Sequence, residues 1–285
     1  MSKLKGKAPT LTKKRLKAFF YGSSGTGKTS CCIQFPNAYY IDTEKGAEHQ
    51  QYVDVLTKNN SVVYQTRDFE DLYDQVKALA TEQHDFETII IDPITSIYSN
   101  LLDACSKKFD NRFNKHYGEL NKSFERLLDL LLRIDMNVII TSHSKKEYGK
   151  EMSVIGTTFD AYKKLDYIFD LVIETKIENK RYVGVIKKSR ISSMPTGEEI
   201  DFNYKMLDGL YRKDLGKSVP LELISEESLA ELQNLIARTP NSEEWIAKCL
   251  TSANVLELSA LSQEQGSKMI AFLKSKQPTP LQVVK

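Results

Sequence analysis

Eight residues, Gly22 to Thr29, read G-x-x-x-x-G-K-T, with glycine at each position where a backbone must approach an anion closely. The stretch supplies Gly22, Ser23, Ser24, Gly25, Thr26, Gly27, Lys28, Thr29 and Ser30 as candidate phosphate contacts. In this pattern the lysine neutralises the β- and γ-phosphates of a nucleotide, and the hydroxyl after it faces Mg²⁺. Apolar "KAFFY" precedes the run and helix-like "KTSCCIQF" follows it, which is the strand–loop–helix setting the chemistry demands. A merely tight turn has no use for the lysine.

A divalent cation beside that loop needs a carboxylate at the end of a neighbouring strand. "TIIIDP" offers Asp92, which is equally placed to cap the helix starting at Ile94; the two roles are compatible. Hydrolysis needs a further group to orient or deprotonate water. "AYYIDTEKG" ends in Asp42 and Glu44, and Glu44 lies just past the strand, where open α/β sheets place their ligands. A solvated surface acid is the plainer alternative for Glu44. His143, ending "VIITSH", is a second candidate beside the terminal phosphate, against an ordinary structural role.

These groups must be positioned by alternating elements. "KAFFYG", "NAYYIDT", "SVVYQ", "ETIIID" and "NVIITSH" read as strands, with helical patterns between them, so a mostly parallel sheet flanked by helices is expected. "LDYIFDLVIETK" and "RYVGVIKKSR" read as a terminal antiparallel hairpin. Between them and "VIITSH", residues 144–164 show no sustained period and read as a long irregular loop. The expected organisation is a basic arm (1–13), an α/β core (14–217), a small helical appendage (218–276) and a tail (277–285). In the appendage, Trp245 is expected in the core.

The chain has 285 residues, 41% hydrophobic and 27% charged, with a net charge of +2. Affinity for nucleic acid must therefore come from local patches. The first seventeen residues carry seven lysines and arginines and no acid. No apolar segment suits a signal peptide or a membrane span, so a cytoplasmic protein without membrane association is expected. Cys31, Cys32, Cys105 and Cys249 have neither metal-like nor disulfide-framework spacing.

The order phosphate loop, "YYIDTEK", "IIIDPITSIYS", "VIITSH" and a hairpin with "IKKSR" resembles the RecA-type ATPase core. It is closest to the phage RecA-like nucleotide-binding proteins that act as single-strand annealing recombinases. That resemblance, over roughly residues 14–211, implies ATP and Mg²⁺ as cofactors, Glu44 as activator of water and Asp92 as support for the metal. It also implies His143 as γ-phosphate sensor, where the family often has glutamine. Lys188 and Arg190 resemble a K-x-R element reaching a neighbouring subunit's nucleotide, which requires a ring or filament of identical chains. Strand alternation puts both on one face; an ordinary solvated hairpin edge is the alternative.

A DNA-contacting loop follows the sensor strand in such proteins. Here Lys145, Lys146, Lys150, Lys163 and Lys164 are candidates for phosphates, and Tyr148, Phe159 and Tyr162 for base stacking. The implied partners are single-stranded DNA, further copies of the chain, and a single-strand-binding protein or other recombination partner; a phage-encoded chain would act in the host cytoplasm. The leading expectation is an ATP-dependent single-strand-binding recombinase or annealing protein. An ATP-regulated scaffold or clamp with little turnover, and a P-loop kinase, are the alternatives. The absence of an N-K-x-D element disfavours a GTPase.

Overall fold

Buried strands with apolar residues on both faces make a sheet interior, and "KAFFYG" and "TIIID" do so here. The computed structural model describes residues 14–108, 115–149, 153–212, 223–240, 242–253 and 255–276. The expected arm and tail, Lys150 and the expected boundary at 217/218 lie outside the described residues.

Two compact units divide the chain: residues up to Leu72, Asp85–His116 and Asp135–Val219 form one, and Tyr73–His84, Tyr117–Ile134 and Pro220–Lys285 the other. The first contains the sheet, with strands β1 (Lys17–Gly22), β2 (Ala38–Asp42), β3 (Val62–Gln65), β4 (Thr88–Asp92), β5 (Asn137–Tyr148), β6 (Val154–Phe159), β7 (Leu171–Glu178), β8 (Arg181–Ser189) and β9 (Glu199–Asp201). Their order is β3-β2-β4-β5-β1-β7-β8-β9, with β6 paired to β5 off this path. Pairings from β3 through β7 are parallel; β8, β9 and β6 join antiparallel. The mostly parallel α/β sheet with a terminal hairpin is as the sequence predicts.

Every residue of β1 and of β4 is buried, which fits strands covered on both faces. Helices α1 (Lys28–Cys32), α2 (Gln50–Lys58) and α4 (Ile94–Lys108) connect the strands, and α6 (Leu165–Ile168) precedes β7. After β9 comes α7 (Tyr204–Tyr211), whose Leu207 and Tyr211 join Phe20, Phe35, Tyr40 and Ile90 in one apolar cluster.

The second unit is helical. It takes in most of α3 (Phe69–Thr81) and α5 (Lys115–Arg133), with α8 (Glu226–Ala237), α9 (Glu243–Ala253) and α10 (Gln263–Lys276). Leu232, Leu261, Met269 and Leu273 form its core, and the Trp245 ring stacks on Phe272 at 4.9 Å. Ser225 caps α8 by accepting the Ser228 N–H at 3.2 Å. Ser262 and Gln265 cap α10 reciprocally, each side chain accepting the other's backbone N–H. Arg126 lies over the Tyr73 ring and 3.6 Å from Glu257, which also accepts the Tyr73 hydroxyl, so α3 and α5 are tied to the C-terminal residues within this unit.

Candidate functional site

The phosphate loop joins β1 to α1, and its shape is set before any anion arrives. Gly22 pairs with Thr175 of β7, and a Cβ there would fall 2.2 Å from Thr175 Oγ1, so only glycine fits. Gly25 and Gly27 have φ of 78° and 85°, which side chains rarely adopt. The Thr26 hydroxyl donates to the Ser23 carbonyl at 2.8 Å and lies 2.7 Å from the Thr175 hydroxyl. Lys28 Nζ curls back to donate to the carbonyls of Gly22 and Ser23, both at 2.8 Å. Burial pushes the Lys28 amine below its ordinary pKa, against Asp92, Cys32 and Glu44, which pull it up.

Parallel pairing sets Asp42 of β2 beside Asp92 of β4, at the sheet edge where the loop emerges. Thr29 donates its hydroxyl to Asp92 Oδ2 at 2.6 Å, so the two residues expected at a metal are already in contact. Tyr40 donates to the same oxygen at 3.0 Å, and Thr141 to Oδ1. Burial, then the charge of Asp92, raises the Tyr40 phenol far above its usual range, so it remains a donor. The hard oxygens of Thr29 and Asp92 suit Mg²⁺, which takes one or two protein oxygens and completes its shell with phosphate and water. Among the described residues no cluster of three acids, histidines or cysteines could hold a metal alone.

Asp42 and Glu44, two residues apart, have separate tasks. The Asp42 carboxylate accepts the backbone N–H groups of Glu44, Gly46 and Ala47 at 2.9–3.2 Å, folding the chain after β2 into a fixed turn. That turn delivers Glu44 to His143: Glu44 Oε2 lies 3.4 Å from His143 Nε2, and Oε1 accepts the Ser96 hydroxyl at 2.8 Å. Thr95 fixes the strand end by accepting the His143 backbone N–H at 3.0 Å. Lys28, Thr29, Glu44, Asp92, His143 and Tyr182 line one cavity of about 310 Å³, together with Ser24, Gly25, Gly27 and Ser30.

Sequence reasoning missed Tyr40, Ser96, Thr141 and Tyr182. Tyr40 shares a strand face with Asp42, so alternation could have found it, whereas Ser96 meets Glu44 from 52 residues away, a contact no local spacing shows. Nothing in the spacing points to Tyr182.

Within the stretch 144–164, expected as an irregular loop, residues 144–148 and 154–159 are instead paired antiparallel strands. β5 continues from His143 to Tyr148 and pairs with β6 from Ser144↔Phe159 outward. This corrects the base-stacking expectation for two rings. Phe159 is 9% exposed and meets the Phe19 ring edge-on at 5.1 Å; Tyr162 is 3% exposed. Both serve packing: β6 returns to the core at Phe159, and Tyr162 is buried three residues further on. Tyr148, at 56% exposure, remains available. Lys145 pairs with Asp160 at 2.9 Å, while Lys146, Lys163 and Lys164 are exposed.

Lys188 and Arg190 both reach the Tyr167 carbonyl, and neither lines the cavity. Lys188 Nζ donates to the carbonyls of Asp166 and Tyr167 at 2.7 and 2.6 Å. Arg190 donates to the carbonyls of Tyr167 and Ile168 and to Asp170 Oδ1 at 3.0 Å. The two cations clamp the carboxyl end of α6, a favourable place for positive charge. Burial, with Arg190 beside it, pushes Lys188 below its ordinary pKa.

A search of curated proteins gave no match. Among solved structures 163 chains match, one of them described as the crystal structure of the RadB recombinase. It is 19% identical, with 66% of this chain and 86% of that chain covered at a TM-score of 0.47. A family profile described as AAA domain (AAA_24) matches residues 14–199. Because that match runs from just before β1 to the start of β9, over more than half the chain and every cavity residue above, the chain belongs to the AAA domain family and carries a P-loop ATPase core.

Proposed function

We propose that the chain is a DNA-dependent ATPase that binds single strands and promotes annealing or strand exchange, hydrolysing ATP at the interfaces of a homo-oligomer. One observation carries this reading: β5 runs unbroken from His143 in the nucleotide cavity to the exposed Lys146 and Tyr148 on the hairpin. Whatever strand contact shifts the hairpin therefore pulls on a residue beside Glu44.

In this reading the Gly25–Gly27 amides and Lys28 hold the triphosphate, and Lys28 exchanges its two loop carbonyls for phosphate oxygens. Thr29 and Asp92 hold Mg²⁺, which supplies charge neutralisation for the phosphates. Glu44, held between Ser96 and His143, orients water and takes its proton. In the same reading His143, 3.4 Å from Glu44 in the cavity lining, senses the γ-phosphate. Among the described residues lining the cavity, Lys28 is the sole lysine or arginine, against the carboxylates of Asp42, Glu44 and Asp92. A triphosphate there calls for cations from outside the chain's own cavity, and Lys188 and Arg190 of a second copy fit that need. Lys145, Lys146, Lys163 and Lys164 meet strand phosphates and Tyr148 stacks on a base.

A second reading, the ATP-regulated clamp with negligible turnover, is favoured by the contacts on both Glu44 oxygens, which restrain the residue that would activate water.

The test is ATP hydrolysis with and without single-stranded DNA at moderate salt, with Lys28→Ala alongside. Strong stimulation by DNA is expected, and a loss on the order of 10²-fold or more in Lys28→Ala. Absence of stimulation, with no DNA bound under non-hydrolysable ATP, would sink the recombinase reading and leave the clamp.

A further inference from the structure

The geometry points to Tyr182 as the platform on which the nucleotide's base stacks, an assignment that rests on the nucleotide reading of the cavity. Sheet order gives the direction. Glu44, Asp92 and His143 come from β2, β4 and β5, all on one side of β1, whereas Tyr182 comes from β8 on the other. A triphosphate whose terminal phosphate faces Asp92 and Glu44 runs its nucleoside end toward β7 and β8.

Tyr182 is placed rigidly there. Asn179 and Lys180 turn the β7–β8 hairpin with φ of 49° and 62°, the two-residue turn in which both centres are left-handed. Ile177 pairs with Tyr182 across it, and the Tyr182 carbonyl accepts the Phe202 N–H at 2.9 Å. A Cβ built on Gly27 would fall 3.0, 3.1 and 3.3 Å from Cγ, Cδ1 and Cδ2 of the ring. Near-equal distances to these three atoms put one ring face on the loop glycine. The residue as a whole is still 49% exposed, leaving surface for a ligand. Gly27 is thus required twice, for its φ and for the seat of this ring.

Stacking tolerates any base, so Tyr182 contributes affinity for nucleoside triphosphates rather than choice among them. The test measures calorimetric binding of ATP, GTP and inorganic triphosphate to the full chain and to Tyr182→Ala and Tyr182→Phe. Expected is a roughly tenfold weaker ATP and GTP affinity in Tyr182→Ala. Inorganic triphosphate should bind as to the unaltered chain, which also reports that the variant's loop is intact, and Tyr182→Phe should bind all three normally. Equal weakening for triphosphate and ATP would overturn the proposal, because the ring would then only brace the loop. So would tighter binding of both, which would make the ring an obstruction. A silent Tyr182→Ala with a loss in Tyr52→Ala, whose ring lines the cavity from α2, would put the base on the other flank. If the unaltered chain binds neither ATP nor triphosphate, the nucleotide reading itself falls.

Discussion

The acids of the cavity and the Lys188–Arg190 clamp are satisfied by opposite means. Asp92 and Glu44 are oriented mainly by neutral hydroxyls, those of Thr29, Tyr40, Thr141 and Ser96, so their negative charge is aimed without being cancelled. Lys188 and Arg190 rest on helix carbonyls and, for Arg190, on the Asp170 carboxylate. In the proposed reading the first set receives a cation and a phosphate. The second is a pair of cations occupied with its own chain, which a stronger anion could recruit. Half of the proposed chemistry is therefore assembled within one chain, and half is held in reserve.

The sharpest way to break this contrast is Arg190→Ala. If the clamp completes a neighbour's site, turnover should fall by about 10³-fold while ATP still binds. Mixed with Glu44→Gln, the variant should regain part of its activity, since some interfaces would then join an intact Glu44 to an intact Arg190. Mixtures that stay inactive, although labelled chains are seen to exchange, would reduce the clamp to a helix cap. Next in size is Glu44→Gln alone, expected to lower turnover by about 10²-fold with ATP affinity unchanged. Hydrolysis at the ordinary rate would show that the hydroxyl-aimed acid does not activate water.

The smallest expected effect lies at the far end of β1 and leaves the site alone. Lys17 is 5% exposed and donates to the Met136 carbonyl at 2.8 Å; burial lowers its pKa to about 7, against Asp135 and Asp170. Between that value and the ordinary 10.5 the unfolded chain binds more protons, so this lysine makes stability rise with pH across that window. Below about pH 7 the buried amine must be charged and the penalty is complete, on the order of a few kcal/mol. Lys28 is shifted the same way and adds to the trend. Lys17→Met should flatten the rise of the urea midpoint from pH 7 to 10 without altering ATP binding. An identical slope in both proteins would show that Lys17 is not shifted.

What was readable in the sequence follows the same contrast. The phosphate loop, Asp92 and Glu44 could be found because their chemistry fixes spacing relative to strands, and buried strands such as "TIIID" announce themselves. The β5–β6 hairpin was not, because Val154–Phe159 is mostly exposed on both faces and so has no apolar alternation to read. Phe159 and Tyr162 looked like stacking rings because nothing local reveals that Phe19, in a strand some 140 residues earlier, covers one of them. Helices α3 and α5 lay among the helical patterns between the strands, but such a pattern does not name a partner; Tyr73, Arg126 and Glu257 supply that partnership. Tyr182 depends on a hairpin folding back over a loop 155 residues away, a relation only the fold contains.

The thiols carry a practical consequence. Cys31, Cys32 and Cys105 are buried, and burial pushes the first two thiols far above their ordinary pKa, whereas Cys249 in α9 is partly exposed and only raised. Under mild maleimide labelling the natural sequence therefore behaves as a single-cysteine protein. A fluorophore on Cys249 would sit on the helical unit, at a residue that does not line the nucleotide cavity. Its response to ATP would then show whether events at the phosphate loop are felt in the part of the chain that holds no piece of that loop.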